Sequence, residues 1–298
     1  MVPQGGGFKR RLTRGLDWIF HEVSSKTASK ANSRLQPGKG EASEIILPHM
    51  ISIPTTVIPV LEPVSGIRAF FTTRQGGIST GSFASLNLSP SSGDNPENVQ
   101  RNWDLLLQSQ GLEDKTLALP RLCHGYGIQE IFAAPEASLE NIDSIYTRDG
   151  GRILAVTLGD CLGVLIADPE THCIAAVHAG WRGSRDNILG RTLEKLFHSG
   201  HCLPKSTFVA LSPCLSTWML EISEDIAQTL PQPHVQRKEN RFYFDLQGCN
   251  RSQAGAAGVS VNHITAVEAC TRTDAERFFS YRRDGAASGR MAAVIALV

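Results

Sequence analysis

The sequence predicts an α+β protein, and two observations carry that class. Strand-like segments cluster: residues 153–158, 161–167 and 173–178 follow one another closely, and each is dense in Val, Ile, Leu and Ala, too apolar for a strand with one wet face. Helical stripes lie outside this cluster, so strands and helices do not alternate strictly as they would in a doubly wound chain. The 298 residues, 41% hydrophobic and 19% charged, are ample for a buried core and exclude disorder throughout.

Charge separates the first element from the rest. Residues 1–40 carry eight Lys and Arg against Asp17 and Glu22, a net of +6 in a chain whose 29 basic and 29 acidic residues balance overall. Leu12, Leu16, Ile19, Phe20 and Val23 recur at helical spacing, which predicts a basic amphipathic helix over 8–24. A transit peptide or a surface-binding arm would fit such a helix; a loosely ordered tail fits a terminal position better. Gln36-Pro37-Gly38-Lys39-Gly40 reads as a linker, so residues 1–50 are set apart as a basic, loosely ordered extension and 51–298 as one mixed domain.

Within that domain a strand is expected over 67–73, stopped by the turn material Gln75-Gly76-Gly77. A helix follows over 97–110 on the stripe Val99, Trp103, Leu106 and Leu107, and the three apolar strands come next. A second helix over 184–197 aligns Ile188, Leu189, Leu193 and Leu196; another lies near 221–230, and a last strand covers 291–298.

A balanced charge supplies no global field for nucleic acid or an anionic membrane, so neither is an expected partner. The longest apolar stretch, 153–167, is short for a bilayer and is interrupted by Asp160, which argues against a membrane span. Seven scattered cysteines with no Cys-x-x-Cys pair argue against a disulfide framework and for a reducing, cytoplasmic setting. Oligomeric state has no signature in the sequence.

The chemistry concentrates in three stretches: Cys123-His124-Gly125, Gly159-Asp160-Cys161, and Val177-His178-Ala179-Gly180-Trp181-Arg182-Gly183. His124, Cys161 and His178 would give a metal two imidazoles and a thiolate and leave a fourth position open, the pattern of catalytic zinc. Their separations of 37 and 17 residues carry no motif, and a buried thiol with two hydrogen-bonded histidines remains the bland alternative. A hairpin favours the metal. Asp168-Pro169 has the residues of a type I turn, and pairing Asp168 with Thr171 sets Cys161 directly opposite His178. The same register turns Leu162, Val164 and Ile166 to the other face, towards the core.

Four further groups have two readings each. Gly180 to Ser184 opens a helix, so its N–H groups together with Arg182 can hold an anion; the alternative is a tight turn with Arg182 paired to a carboxylate. Arg74 can bind phosphate or a sugar hydroxyl, or cap its loop. Asp160 can act as an acid or base or anchor its neighbours. Arg282-Arg283-Asp284 can fork an anion, although an internal Arg–Asp pair is favoured.

Arg74-Gln75-Gly76-Gly77-Ile78-Ser79, His124-Gly125, Gly159-Asp160-Cys161, the string from His178 to Gly183, Ser212-Pro213-Cys214 and the string from Phe279 to Gly285 together resemble the laccase-domain family. Its bacterial members are also called polyphenol oxidases or peptidoglycan editing factors, and several are described as purine nucleoside phosphorylases. The match runs in order from about residue 67 to the last residue. The resemblance implies a layered α/β/β/α sandwich with mixed sheets, with 51–298 as the catalytic domain. It implies that His124, Cys161 and His178 are catalytic zinc ligands, and that a purine nucleoside and phosphate are the substrates. Leu122 stands where the family usually has glutamine, Gly159 where it has alanine, and Ser212 where it has glycine; the stretch from Leu215 to Leu220 lacks a usual cysteine and tyrosine.

Three functional classes follow. The first is a zinc-dependent purine nucleoside phosphorylase, with adenosine deamination as a related activity. The second is a copper phenol oxidase, which the absence of any His-x-His pair and a set of only three ligands disfavour. The third is a metal-free cysteine hydrolase of peptidoglycan precursors, with Cys161 activated by His178. A non-catalytic binding module would have no need of an open metal position. The first class is the expectation.

Overall fold

The protein, seen in a computed structural model, is described for residues 53–56, 64–132 and 139–298; the basic stretch 1–50 and its expected helix lie outside the described residues. Strands β1 (Thr55–Thr56) and β2 (Ile67–Thr72) precede helix α1 (Pro96–Gln110). The bounds of α1 are set chemically. The Asn95 side chain accepts from the Glu97 N–H at 2.9 Å, Pro96 fills the first position, and Gly111 closes the helix in the left-handed region at φ 65°. Three short strands follow, β3 (Thr116–Ala118), β4 (Ile128–Glu130) and β5 (Ser144–Thr147). Then come the long ones, β6 (Arg152–Leu158), β7 (Leu162–Asp168) and β8 (Cys173–Ala179). Helices α2 (Trp181–Arg185) and α3 (Ile188–His198) lead to β9 (Phe208–Leu211). Next are β10 (Glu221–Ile222), α4 (Glu224–Thr229), β11 (Val235–Lys238) and β12 (Arg241–Phe244). The last elements are α5 (Leu246–Ala256), β13 (Ile264–Ala266), α6 (Tyr281–Asp284) and β14 (Met291–Leu297).

Two mixed sheets form the centre, a five-stranded one in the order β1-β2-β14-β6-β3 and a six-stranded one in the order β13-β9-β7-β8-β5-β4. Between them pack Phe71, Val156, Leu158 and Ala293 from the first and Leu165, Ile174 and Ala176 from the second. Helix α1 covers the outer face of the first sheet, with Trp103 and Leu106 against Phe70, Ala155 and Val294. Helices α3 and α5 cover the outer face of the second, with Leu193 and Ala254 against Val164 and Val177. The layers are therefore α/β/β/α, as expected, and strands buried on both faces explain the unbroken apolar runs in the sequence. A third sheet of three strands, β10-β12-β11, has no strand pairing with these two, but its Ile222 and Phe244 pack in the same core as Val164 and Val177. Among the described residues no helix is long and apolar enough to cross a membrane.

Three expectations are corrected. The helix expected over 184–197 is two helices, because Asn187 adopts a left-handed φ of 61°, which asparagine tolerates and which no helix continues through. The helix expected near 221–230 is confined to 224–229, because Glu221 and Ile222 pair with Tyr243 and Phe242. The β7–β8 hairpin closes between Asp168 and Cys173, not between Asp168 and Thr171. The Asp168 side chain accepts from the Glu170 and Thr171 N–H groups at 2.9 and 3.3 Å, and His172 adds a left-handed residue at φ 54°. The loop has two more residues than expected, so His178 pairs with Gly163, and Cys161 lies just before the first residue of β7. A shift of two preserves the facing of every side chain. Leu162, Val164 and Ile166 pack under the helices as expected, while the opposite face is equally buried, between the sheets.

Candidate metal centre

Three chain segments meet where the two sheets are joined. Gly159-Asp160-Cys161 connects β6 in one sheet to β7 in the other. His178 is the penultimate residue of β8, 3% exposed. His124 comes from the loop between β3 and β4, where its backbone is left-handed at φ 60°. One donor atom from each of His124, Cys161 and His178 lies within 4.8 Å of the other two, and the imidazoles stand edge to face at 4.9 Å. Gly180 makes room for this triangle: a Cβ there would lie 3.0 Å from the Cys161 sulfur and 3.3 Å from Cδ2 of His124.

Asp143, just ahead of β5, organises the centre and was not singled out in the sequence. Its Oδ1 lies 2.8 Å from Nδ1 of His178 and accepts from the His124 N–H at 2.9 Å. Its Oδ2 accepts from the N–H groups of Cys123 and Gly125 at 3.2 and 2.9 Å and from the Cys123 thiol at 3.1 Å. With Nδ1 turned to this carboxylate, Nε2 of His178 is the nitrogen that can face a metal, as in a carboxylate–histidine–metal set. Burial works against ionised Asp143, but hydrogen bonding and charge from His178 outweigh it and hold the carboxyl well below the usual range.

Burial likewise opposes a charged Cys161, yet the His178 charge and hydrogen bonds from His124 and His178 pull its thiol down to about 6. For His178, burial is outweighed by the Cys161 thiolate and by Asp143, which lift the ring to about 9. Each partner's charge thus favours the charged form of the other. Two imidazoles and a thiolate in mutual reach, one of them oriented by a carboxylate, fit a divalent metal with an open fourth position.

A cavity of about 1000 Å³ opens over the triangle, lined also by Leu122, Asp160, Arg182, Tyr281 and Arg290. Arg182 lies stacked over the Trp181 ring at 4.2 Å, and its helix α2 is only five residues long. Arg74 is not among the cavity residues: its guanidinium donates to the carbonyls of Ala84 and Ala275 at 2.9 and 3.1 Å and packs over Phe279. Asp160 is an anchor, because one oxygen accepts from the Thr271 hydroxyl at 2.6 Å and the other from the Arg282 N–H at 2.7 Å. Arg283 pairs with Asp284 at 2.7 Å, the internal pair that was favoured.

A family model described as multi-copper polyphenol oxidoreductase laccase matches residues 68–298. A purine nucleoside phosphorylase of Deinococcus radiodurans is 36% identical over 245 residues, which cover 80% of this chain and 93% of the relative. An adenosine deaminase, RL5, from an unknown prokaryotic organism is 28% identical over 243 residues, covering 76% and 92%. Among solved structures, YlmD of Geobacillus stearothermophilus superposes with a TM-score of 0.75 at 29% identity, covering 79% of this chain and 93% of that one.

Proposed function

The chain belongs to the multi-copper polyphenol oxidoreductase laccase family, and from that premise we propose that it is a metal-dependent purine nucleoside phosphorylase acting on adenosine, inosine and related nucleosides, with adenosine deamination as a second activity. Relatives of nearly full length carrying those two names support the reading. The observation that carries it in this chain is the triangle of His124, Cys161 and His178 beneath a cavity large enough for a nucleoside and an anion.

His124, Cys161 and His178 are the proposed ligands, and zinc is the proposed metal, since a mixed nitrogen and thiolate set suits it. A bound zinc ion would supply Lewis acidity beside the substrate. The protein's own residues do the rest. Asp143 fixes the His178 ring, Asp160 ties the Cys161 turn to Thr271 and Arg282, and Arg182 lines the cavity as a cation that favours anionic substrates there. In phosphorolysis a phosphate oxygen bonds to C1′ of the ribose as the bond from C1′ to the purine nitrogen breaks, which yields ribose 1-phosphate and the base. In deamination water displaces ammonia from the purine ring.

The family's name includes copper, but one cluster of three possible ligands is present among the described residues, too few for the several coppers that four-electron reduction of dioxygen needs. A catalytic domain over 51–298 and a cytoplasmic location belong to the same reading.

The deciding experiment combines metal analysis of the purified protein with product identification from adenosine and inosine, with and without phosphate. Base plus ribose 1-phosphate formed only with phosphate is the expected result. Phenol oxidation by copper-loaded protein with no nucleoside turnover would reject it.

A further inference from the structure

Arg290 is a half-buried cation with no carboxylate partner among the described residues. It stands immediately before β14, where its N–H donates to the Asn87 side chain at 2.9 Å. One terminal nitrogen of the guanidinium donates to the carbonyls of Ser288 and Gly289 at 2.5 and 2.8 Å, which fixes the head group. Its Nε and other terminal nitrogen have no hydrogen-bond partner among the described residues, and no carboxylate there lies within ion-pair distance. Asp160 is close enough for its charge to be felt, but both its oxygens are already engaged by Thr271 and Arg282. Burying an arginine without a counter-charge is unfavourable unless something else supplies one.

The side chain reaches the cavity by lying across the backbone of Gly159. A Cβ at position 159 would sit 2.6 Å from Cδ and 3.3 Å from Nε of Arg290. A methyl at this position would therefore occupy the space that the arginine uses. Arg290 lines the cavity together with Cys161 and Asp160, and its guanidinium stands 5.6 Å from the ring of the exposed Tyr281.

We infer that Arg290 is the phosphate-binding residue of this cavity, with Gly159 as the position that admits it: the two unpartnered nitrogens form a fork that takes two oxygens of an inorganic phosphate beside the metal centre. A planar fork of this kind matches tetrahedral oxyanions, and Arg182, whose guanidinium lies on Trp181, has no comparable anchoring. The assignment rests on the phosphorolysis reading for its catalytic meaning, but its binding claim can be tested without turnover.

The test uses the purified metal-containing protein and measures inorganic phosphate binding by calorimetry, phosphate and inosine KM by steady-state kinetics, and metal content. Arg290→Gln should weaken phosphate binding about 10–100-fold, as expected for loss of a charge-assisted fork. The phosphate KM should rise in step while the inosine KM moves about twofold or less and the metal stays bound. Arg290→Lys should recover part of the loss, since it restores the charge without the fork. Gly159→Ala should raise the phosphate KM as well, because it displaces the arginine without removing it. Phosphate affinity unchanged in Arg290→Gln, or lost metal in both Arg290→Gln and Arg290→Lys, would overturn the assignment. If the parent protein binds phosphate through Arg290 yet cleaves no nucleoside, the assignment stands and the phosphorylase reading fails.

Discussion

Asp143 grips His178 at two points: its backbone carbonyl accepts the His178 N–H at 2.7 Å, and its carboxylate meets Nδ1 of the ring at 2.8 Å. The same carboxylate gathers the N–H groups of Cys123, His124 and Gly125. Asp143→Asn keeps the shape but removes one acceptor oxygen and the charge. Metal affinity should fall about 10–100-fold, the usual effect of losing a carboxylate behind a ligating histidine. Competition with a chelating dye measures it, and an unchanged affinity would show that backbone contacts alone orient the ring.

The same side chain sets an acid limit. A carboxyl held below its ordinary value stabilises the fold at pH above about 3.9, the value in an unfolded chain, and that contribution disappears as pH falls through the depressed folded value. Acid unfolding of the parent protein should steepen below about pH 4, and Asp143→Asn should flatten that dependence. Urea midpoints across pH 3–7 provide the comparison.

Chelation should abolish nucleoside turnover, and zinc should restore it. In the stripped protein Cys161, with its thiol pulled down to about 6, should react with iodoacetamide at neutral pH ahead of Cys214 and Cys249, whose thiols burial pushes up. Bound metal should protect it. Cys161→Ala should remove metal and turnover together. Full metal content with lost activity would instead favour a cysteine nucleophile.

Removal of residues 1–50 should leave turnover within about twofold of the full chain, since every ligand and cavity residue lies beyond them. Steady-state kinetics on a chain starting at residue 51 is the check, and insoluble product would tie the basic stretch to the core.

The long strands are legible because β6, β7 and β8 are enclosed on both faces, and enclosure leaves an unmistakable apolar run. Their register is not, because it depends on His172 taking a left-handed backbone that nothing in Asp168-Pro169-Glu170-Thr171 announces. The ligand facing survived that error only because the slip was even. Asp143 left no signature, since all its partners are distant in sequence and an aspartate before a strand looks like ordinary turn material. Arg290 was hidden for the same reason: its meaning comes from lying across Gly159, 131 positions earlier.

Gly159-Asp160-Cys161 is a tie of three residues between the two sheets, shorter than the four residues 148–151 that join them at β5 and β6. Such a tie has no slack, so the sheets cannot slide past each other without pulling the sulfur away from both imidazoles. The metal centre is in this sense a strain gauge for the sandwich. A cobalt ion substituted there should keep its thiolate absorption band through heating until the whole domain melts, with no earlier stage at which the centre loosens by itself.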